Sequence, residues 1–259
     1  MRNNRKTKII ATVGPASKKA DIINQLIQSG VDIFRFNLKH NTPTGHGRNI
    51  DEVRKVAQRL GRTVQVLIDL PHPSFLKGSG LVLEKKPDYV ALSHVKKASD
   101  VIGFKKICKK NKITTNVIAK IETNESLNHF AKILNKTDSI MIARGDLGKT
   151  IPIEQVPFVQ KEIVLACNES EKMVIVATEM LLSMVSSKKP TRAEASDVAN
   201  AVLEGSDAVM LSEETAIGEN PVEAVRVMNK IITEAESWKK LGHLHIFSVK
   251  NKKFKFGDF

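Results

Sequence analysis

Eight short apolar runs rich in β-branched residues recur along the chain, and most are followed by a longer stretch of helical period. The runs cover residues 7–13, 31–37, 63–69, 88–93, 115–122, 139–143, 173–178 and 207–212. Helices are predicted at 18–29, 47–60, 97–111, 124–134, 153–169, 191–203 and 220–237. Three of these carry start signals: Pro157 early in the sixth connection, Thr191 after Pro190, and Asn220 before Pro221. Strands that alternate with helices form a parallel sheet covered on its outside. Eight of them in 259 residues match the size of one closed barrel, so the expected fold is α/β, a (β/α)₈ TIM barrel. An open dinucleotide-binding sheet is disfavoured because no GxGxxG follows the first run.

One connection departs from the pattern. Between Asp69 and Asp88 the chain reads LPHPSFLKGSGLVLEKKP, rich in Pro and Gly and without a clear helical period. It is either an irregular crossover or a place where a helix and an inserted domain have been lost. Residues 1–241 are assigned to a single barrel domain and 242–259 to a basic C-terminal tail, a strand or a mobile segment.

The formal net charge is +13, which raises the question of nucleic acid. Much of the excess lies at the ends, in Arg2, Arg5, Lys6 and Lys8 and then Lys250, Lys252, Lys253 and Lys255. Basic residues interleaved with stacking aromatics mark nucleic-acid binders, but this chain has one Trp and one Tyr. Solvated lysines and a small anionic substrate are the expected partners, with no nucleic acid. No apolar run is long enough to span a membrane, and the first eight residues are too polar for a signal peptide. Cys108 and Cys167 lack CxxC or His partners at metal spacing and read as free thiols. A cytoplasmic protein without membrane association is expected.

In such a barrel the reactive groups lie at the C-terminal ends of the strands. Those ends carry Arg35, Asn37, Lys39 and His40; Asp69; Ser93 and His94; Lys120 and Glu122; Arg144 and Asp146; Thr178 and Glu179; and Ser212, Glu213 and Glu214. Lys120 and Glu122 are two apart on a strand and face the same side. Asp146 arrives from the next strand end, in a loop where Gly145 and Gly148 permit close approach of a ligand. Two carboxylates on neighbouring strands make a hard-oxygen site suited to Mg²⁺ or Mn²⁺, with Lys120 placed to neutralise a phosphoryl group or an enolate oxygen. An ordinary Lys–Glu–Asp ion-pair cluster would place the same residues there.

The segments TKIIATVGPAS (7–17), RFNLKH (35–40), IAKIE (118–122), IMIARGDLG (140–148), VIVATEMLLSM (174–184), PTRAEASDVANAV (190–202) and DAVMLSEETAIGENPVEAV (207–225) resemble, in order and spacing, the barrel domain of pyruvate kinase. The resemblance implies a divalent metal on Glu122 and Asp146, and Lys120 stabilising the transferring phosphoryl group and the enolate oxygen. It places Thr178 beside the reactive carbon, Arg35 on the phosphate, and the backbone of Ala143, Arg144, Gly145 and Asp146 on the substrate carboxylate. Ser93 lines the substrate site, and Asn37 and Asp69 match two ligands of the family's monovalent cation. Departures from the pattern are Lys39 for Ser, Leu70 and Leu76 in the motif after strand three, His94 for an aromatic, Glu179 for Gln, and Glu213 for Gly. The irregular connection replaces the lid domain and the third helix, and the family's C-terminal domain has no counterpart in this sequence.

A lidless barrel without the basic residue at Leu76 suits phosphoryl transfer poorly. The expected activity is therefore a pyruvate-kinase-like, metal-dependent reaction on phosphoenolpyruvate, pyruvate or another 2-oxo acid through an enolate, with phosphoryl transfer weak or altered. A genuine pyruvate kinase, or a catalytically silent scaffold, are the alternatives. Lys39, paired with Asp69, is expected to replace K⁺, so that the monovalent ion is not required; a Lys39 turned to solvent is the competing reading. The PTRAEASDVANAV segment resembles a subunit contact and implies a homo-oligomer.

Overall fold

Alternation along each apolar run sends successive side chains to opposite faces, so every strand has one inward and one outward set. In the computed structural model, which describes residues 5–72 and 80–240, these runs form eight parallel strands. They are β1 (Lys8–Thr12), β2 (Ile33–Asn37), β3 (Gln65–Leu70), β4 (Tyr89–Leu92), β5 (Asn116–Ile121), β6 (Ser139–Ala143), β7 (Met173–Ala177) and β8 (Ala208–Leu211). Each pairs with the next in sequence, and β8 returns to β1 with Lys8 opposite Ala208 and Ala11 opposite Leu211. The sheet is a closed barrel with no free edge, as the expected (β/α)₈ fold requires.

The inward set is a small core of its own: Ile10, Ile33, Leu67, Ile118, Met141 and Ile175 fill the barrel with their neighbours. The outward set, including Ile9, Phe34, Val66, Ile140 and Val209, packs under the helices in a larger second core. The main surrounding helices are α1 (Ala20–Ser29), α2 (Pro43–Arg59), α3 (Gly80–Lys85), α4 (Ala98–Lys110), α5 (Asn124–Asn128) and α6 (Phe130–Leu134). After the four-residue α7 (Arg144–Leu147) come α8 (Val156–Glu169), α9 (Arg192–Glu204), the short α10 (Glu213–Ala216) and α11 (Pro221–Lys240).

The start signals act as their chemistry dictates. Thr191 caps α9 by accepting from the Glu194 N–H at 3.2 Å, while Glu194 accepts back from the Thr191 N–H at 2.7 Å. Pro221 opens α11, and Pro157 lies in the first turn of α8, after a 3₁₀ turn at Ile153–Gln155. Helix α2 begins four residues before the predicted start at 47, because Thr42 caps it and Pro43 presets its first turn. The predicted helix at 124–134 is interrupted at His129, whose φ of −108° and ψ of 10° separate α5 from α6.

The third connection corrects one expectation. The third helix is shortened to α3, six residues that bury Leu81 and Val82, rather than lost. Lys85 at its end is held by Asp51 of α2 at 2.6 Å. The alternation of Pro and Gly upstream conceals so short a helix from any reading of period. Leu76 and the tail assigned to 242–259 lie outside the described residues.

Candidate active site

Two residues beyond the inner core on the same strand face, the side chains change from apolar to charged. Ile33 is followed by Arg35, Leu67 by Asp69, and Ile118 by Lys120. This step lies at the C-terminal end of the barrel, and it forms the floor of a cavity of about 800 Å³. Arg35, Ser93, Lys120, Glu122, Gly145 and Thr178 are among its walls. Cross-strand pairing fixes the neighbours: Asn37 stands opposite Asp69, and Lys120 opposite Met141.

The floor is one continuous ion-pair network. Arg35 donates to a single Asp69 oxygen through Nε at 2.9 Å and Nη2 at 2.7 Å, and through Nη1 to the Thr12 hydroxyl at 3.0 Å. Ser93 donates to the other Asp69 oxygen at 3.2 Å and accepts from Lys120 Nζ at 2.8 Å. Lys120 Nζ also lies 2.7 Å from Glu122 Oε1 and 3.4 Å from Asp69 Oδ2. Burial is the strongest single influence on Asp69 and would raise its pKa. The charges of Lys120 and Arg35, with hydrogen bonds from Arg35 and Ser93, outweigh it and hold the carboxyl below the usual aspartate range. All six residues are nearly enclosed, so these charges act through protein rather than water.

The other side of the mouth is built from α7 and the turn after β7. Thr178 and Glu179 both adopt left-handed backbone, with φ of 70° and 56°. A β-branched residue seldom does so, and the strain is held by contacts on either side. The Gly145 N–H donates to Thr178 Oγ1 at 2.8 Å, and Arg144 Nη2 donates to the Thr178 carbonyl at 2.8 Å. The Arg144 guanidinium is turned away from the cavity toward Asp197 of α9, 2.6 Å away, and Arg144 is not among the residues that line it. Glu214, fully buried, accepts from the N–H groups of Leu181 at 3.0 Å and Ser212 at 2.7 Å, tying the β7 turn to the end of β8. Burial raises its carboxyl above the usual glutamate range.

Asp146 reaches the cavity from α7 and pairs with Lys149 at 2.9 Å. Burial pushes its carboxyl up, but the Lys149 hydrogen bond and charge, with Lys120 and Lys39 beyond, hold it below the usual range. Glu122 and Asp146 thus present hard carboxylate oxygens to one cavity, Glu122 almost fully buried and Asp146 half-exposed. Among the described residues no group of three or more His, Cys, Asp or Glu side chains could hold a metal by itself. This donor set fits a hard divalent cation whose remaining ligands are water and substrate.

The structure does not join Lys39 to Asp69. Lys39 is exposed at the rim, and both Asp69 oxygens are already engaged by Arg35, Ser93 and Lys120. Asn37 Oδ1 instead accepts from the Lys39 backbone N–H at 3.1 Å. The turn after β2 orients a backbone group where sequence spacing pointed to the ammonium. His46, which the sequence did not single out, is the brace of this turn: buried on α2, its Nε2 donates to the His40 carbonyl at 2.6 Å. No pattern marks it, since one His on a helix face looks like any other core residue.

The cavity holds Lys18, Arg35, Lys39, Lys120 and Lys149 against Glu122, Asp146, Glu179 and Glu213. The chain's positive excess therefore lies mostly elsewhere. No helix among the described residues is long and apolar enough to cross a membrane.

Fold and mouth together define a (β/α)₈ barrel of the enzyme type, with its charged residues gathered at the carboxyl ends of the strands. The sequence matches the family described as "Pyruvate kinase, barrel domain" in two pieces, residues 4–81 and 80–225, and the chain belongs to that family. The join falls at the start of α3, in the irregular connection. The chain is 33% identical to the pyruvate kinase of Thermococcus litoralis, covering 92% of this chain and 71% of that protein. It is 32% identical to those of Geobacillus stearothermophilus and Staphylococcus aureus, over 96% and 92% of this chain and 60% and 58% of theirs. The chain thus spans about 60–70% of the length of these relatives. The first alignment runs over 337 positions although the chain has 259 residues, so the relative carries internal sequence that this chain lacks.

Proposed function

We propose that this barrel transfers the phosphoryl group of phosphoenolpyruvate to a nucleoside diphosphate, yielding pyruvate. The observation that carries the reading is the Lys120 ammonium, buried at the cavity floor and fixed at once by Ser93, Asp69 and Glu122. Such a group neutralises charge on the moving phosphoryl and on the enolate oxygen without reorganising in the transition state. Arg35, locked by Asp69 and Thr12, would bind the phosphate beside it. The substrate carboxylate would lie against the backbone of Ala143–Asp146, where Gly145 leaves room, and Thr178 would face the carbon that receives a proton. Glu122 and Asp146 would hold Mg²⁺ or Mn²⁺, which supplies positive charge to the phosphate and enolate oxygens.

Agreement with pyruvate kinases over nearly the whole barrel favours this reading over enolate chemistry alone. The saturation of Asp69 by Arg35 and Lys120 supports activity without K⁺, carried by those two side chains rather than by Lys39. The 190–202 segment, largely α9, supports a homo-oligomer by its likeness to a subunit contact.

The test is phosphorus and proton NMR of phosphoenolpyruvate with Mg²⁺, with and without ADP, in Na⁺, K⁺ and tetramethylammonium buffers. Pyruvate and ATP should form together only when ADP is present, at similar rates in all three buffers. Lys120→Met should lower the rate by about 10²–10³-fold, the usual cost of one charge-stabilising group. Deuterium exchange into the pyruvate methyl without any ATP would replace this reading with enolate chemistry alone.

A further inference from the structure

We propose that Asp197, on the outer helix α9, is a positioning residue for the reaction: it holds the Arg144 guanidinium on the Thr178 carbonyl and so fixes the strained turn that carries Thr178. The inference rests on the phosphoryl-transfer reading above and adds to it a residue outside the cavity wall.

Strand register sets up the contact. Ala143 ends β6 opposite Ala177 at the end of β7, so the next residues, Arg144 and Thr178, leave the barrel side by side. Thr178 and Glu179 then take left-handed backbone in succession, where a branched Cβ crowds its own chain. Such a turn relaxes unless its neighbours hold it. Two hydrogen bonds do so. The Gly145 N–H holds the Thr178 hydroxyl at 2.8 Å, and Arg144 Nη2 holds the Thr178 carbonyl at 2.8 Å. The second bond is only as fixed as the guanidinium that makes it.

That guanidinium ends a long side chain with many rotamers, and its direction is set from outside. Nη1 donates to Asp197 Oδ1 at 2.6 Å and to Gln160 Oε1 at 3.3 Å. Gln160 Nε2 in turn donates to Glu204 at 2.8 Å, which orients the amide with its oxygen toward the arginine. The arginine side chain is 11% exposed, so its charged bond to Asp197 is shielded from water at that end. Asp197 sits in the middle of α9, whose first turn is locked by the Thr191–Glu194 capping box. A rigid outer helix thus fixes, through one arginine, the backbone of a residue at the cavity. The tolerance there is small, since an error of about 1 Å at a reacting centre costs on the order of 10²-fold in rate.

The experiment uses the full chain with Mg²⁺, phosphoenolpyruvate and ADP. kcat, KM, deuterium exchange into the pyruvate methyl and thermal melting are measured for wild type, Asp197→Ala, Asp197→Asn, Arg144→Met and the Asp197→Ala, Arg144→Met double variant. Alanine suits a helix interior, so α9 is kept. The inference expects Asp197→Ala to lower kcat about 10–10²-fold, with KM for phosphoenolpyruvate within about twofold of wild type. Binding is spared because Arg35 and Lys120 are anchored by Asp69 and Glu122 instead. Exchange, which reads the proton step alone, should fall at least as far as kcat. Asp197→Asn keeps an acceptor oxygen for Nη1 and should lie between Asp197→Ala and wild type. The double variant should be no slower than Arg144→Met, because Asp197 acts only through that side chain. A lower melting point with kcat and exchange unchanged in Asp197→Ala, or losses that add in the double variant, would overturn the role of Asp197 and leave phosphoryl transfer standing. A wild type that neither makes pyruvate nor exchanges its methyl would overturn both.

Discussion

Asp69 shows how one carboxylate can organise a site it need not touch chemically. It is buried with two cations and one hydroxyl aimed at it, and each of these also faces the cavity. Removing the charge while keeping the shape, as in Asp69→Asn, leaves Arg35 with no carboxylate partner in the floor. Breaking a buried pair in this way costs about 3–5 kcal/mol. The folded pKa lies below the ordinary 3.8, so the stabilisation is complete above that value and is lost only as pH falls through the still lower folded value. Urea unfolding of both proteins between pH 3 and 8 should give a constant stability gap down to about pH 4 and a narrowing gap below it. A gap that narrows already near pH 6 would mean that another group controls the network.

At the scale of elements, the barrel mouth depends on how closely short helices approach strand ends. Gly14, just after β1, lies against α10: a Cβ there would stand 2.4 Å from the Ala216 carbonyl oxygen and 2.8 Å from its Cα. These are backbone atoms and cannot step aside alone. Gly14→Ala should therefore pry the β1 loop from α10 at a cost of about 1–3 kcal/mol. At about 2–4 °C per kcal/mol for a chain of this size, calorimetry should show the melting point several degrees lower. Gly80→Ala, whose Cβ would meet nothing within 4 Å, is the matched control and should melt no lower than wild type. The strands and most helices were legible in the sequence because burial imposes a period on them. Arg35, Lys120 and Glu122 were legible for the same reason, since strand alternation alone aims them. The directions of Lys39, His94 and the Arg144 guanidinium were not, because turns have no period and their backbone angles are set by tertiary contacts such as His46 on the His40 carbonyl. The short helices α7 and α10 escaped because four residues cannot display a repeat.

For the molecule as a whole, the barrel makes two cores share one sheet. Ile118 lies in the inner core, and Ala119, the next residue, in the outer one. Ile118→Ala should cost about 2–5 kcal/mol and lower the stability of helices it never touches. Urea curves followed by circular dichroism and by fluorescence of the single tryptophan, Trp238 on α11, should shift together and coincide. Separate transitions would show that inner and outer layers unfold apart. Ring closure also has a consequence for how the chain is made. The partner of Ile10 in β1 is Met210 in β8, two hundred residues later. A ribosome adding about 5–20 residues per second leaves β1 without its second neighbour for about 10–40 s. Throughout that interval the nascent chain carries an open strand edge, the kind of surface that captures other chains. The last barrel strand to be translated is the one that removes it.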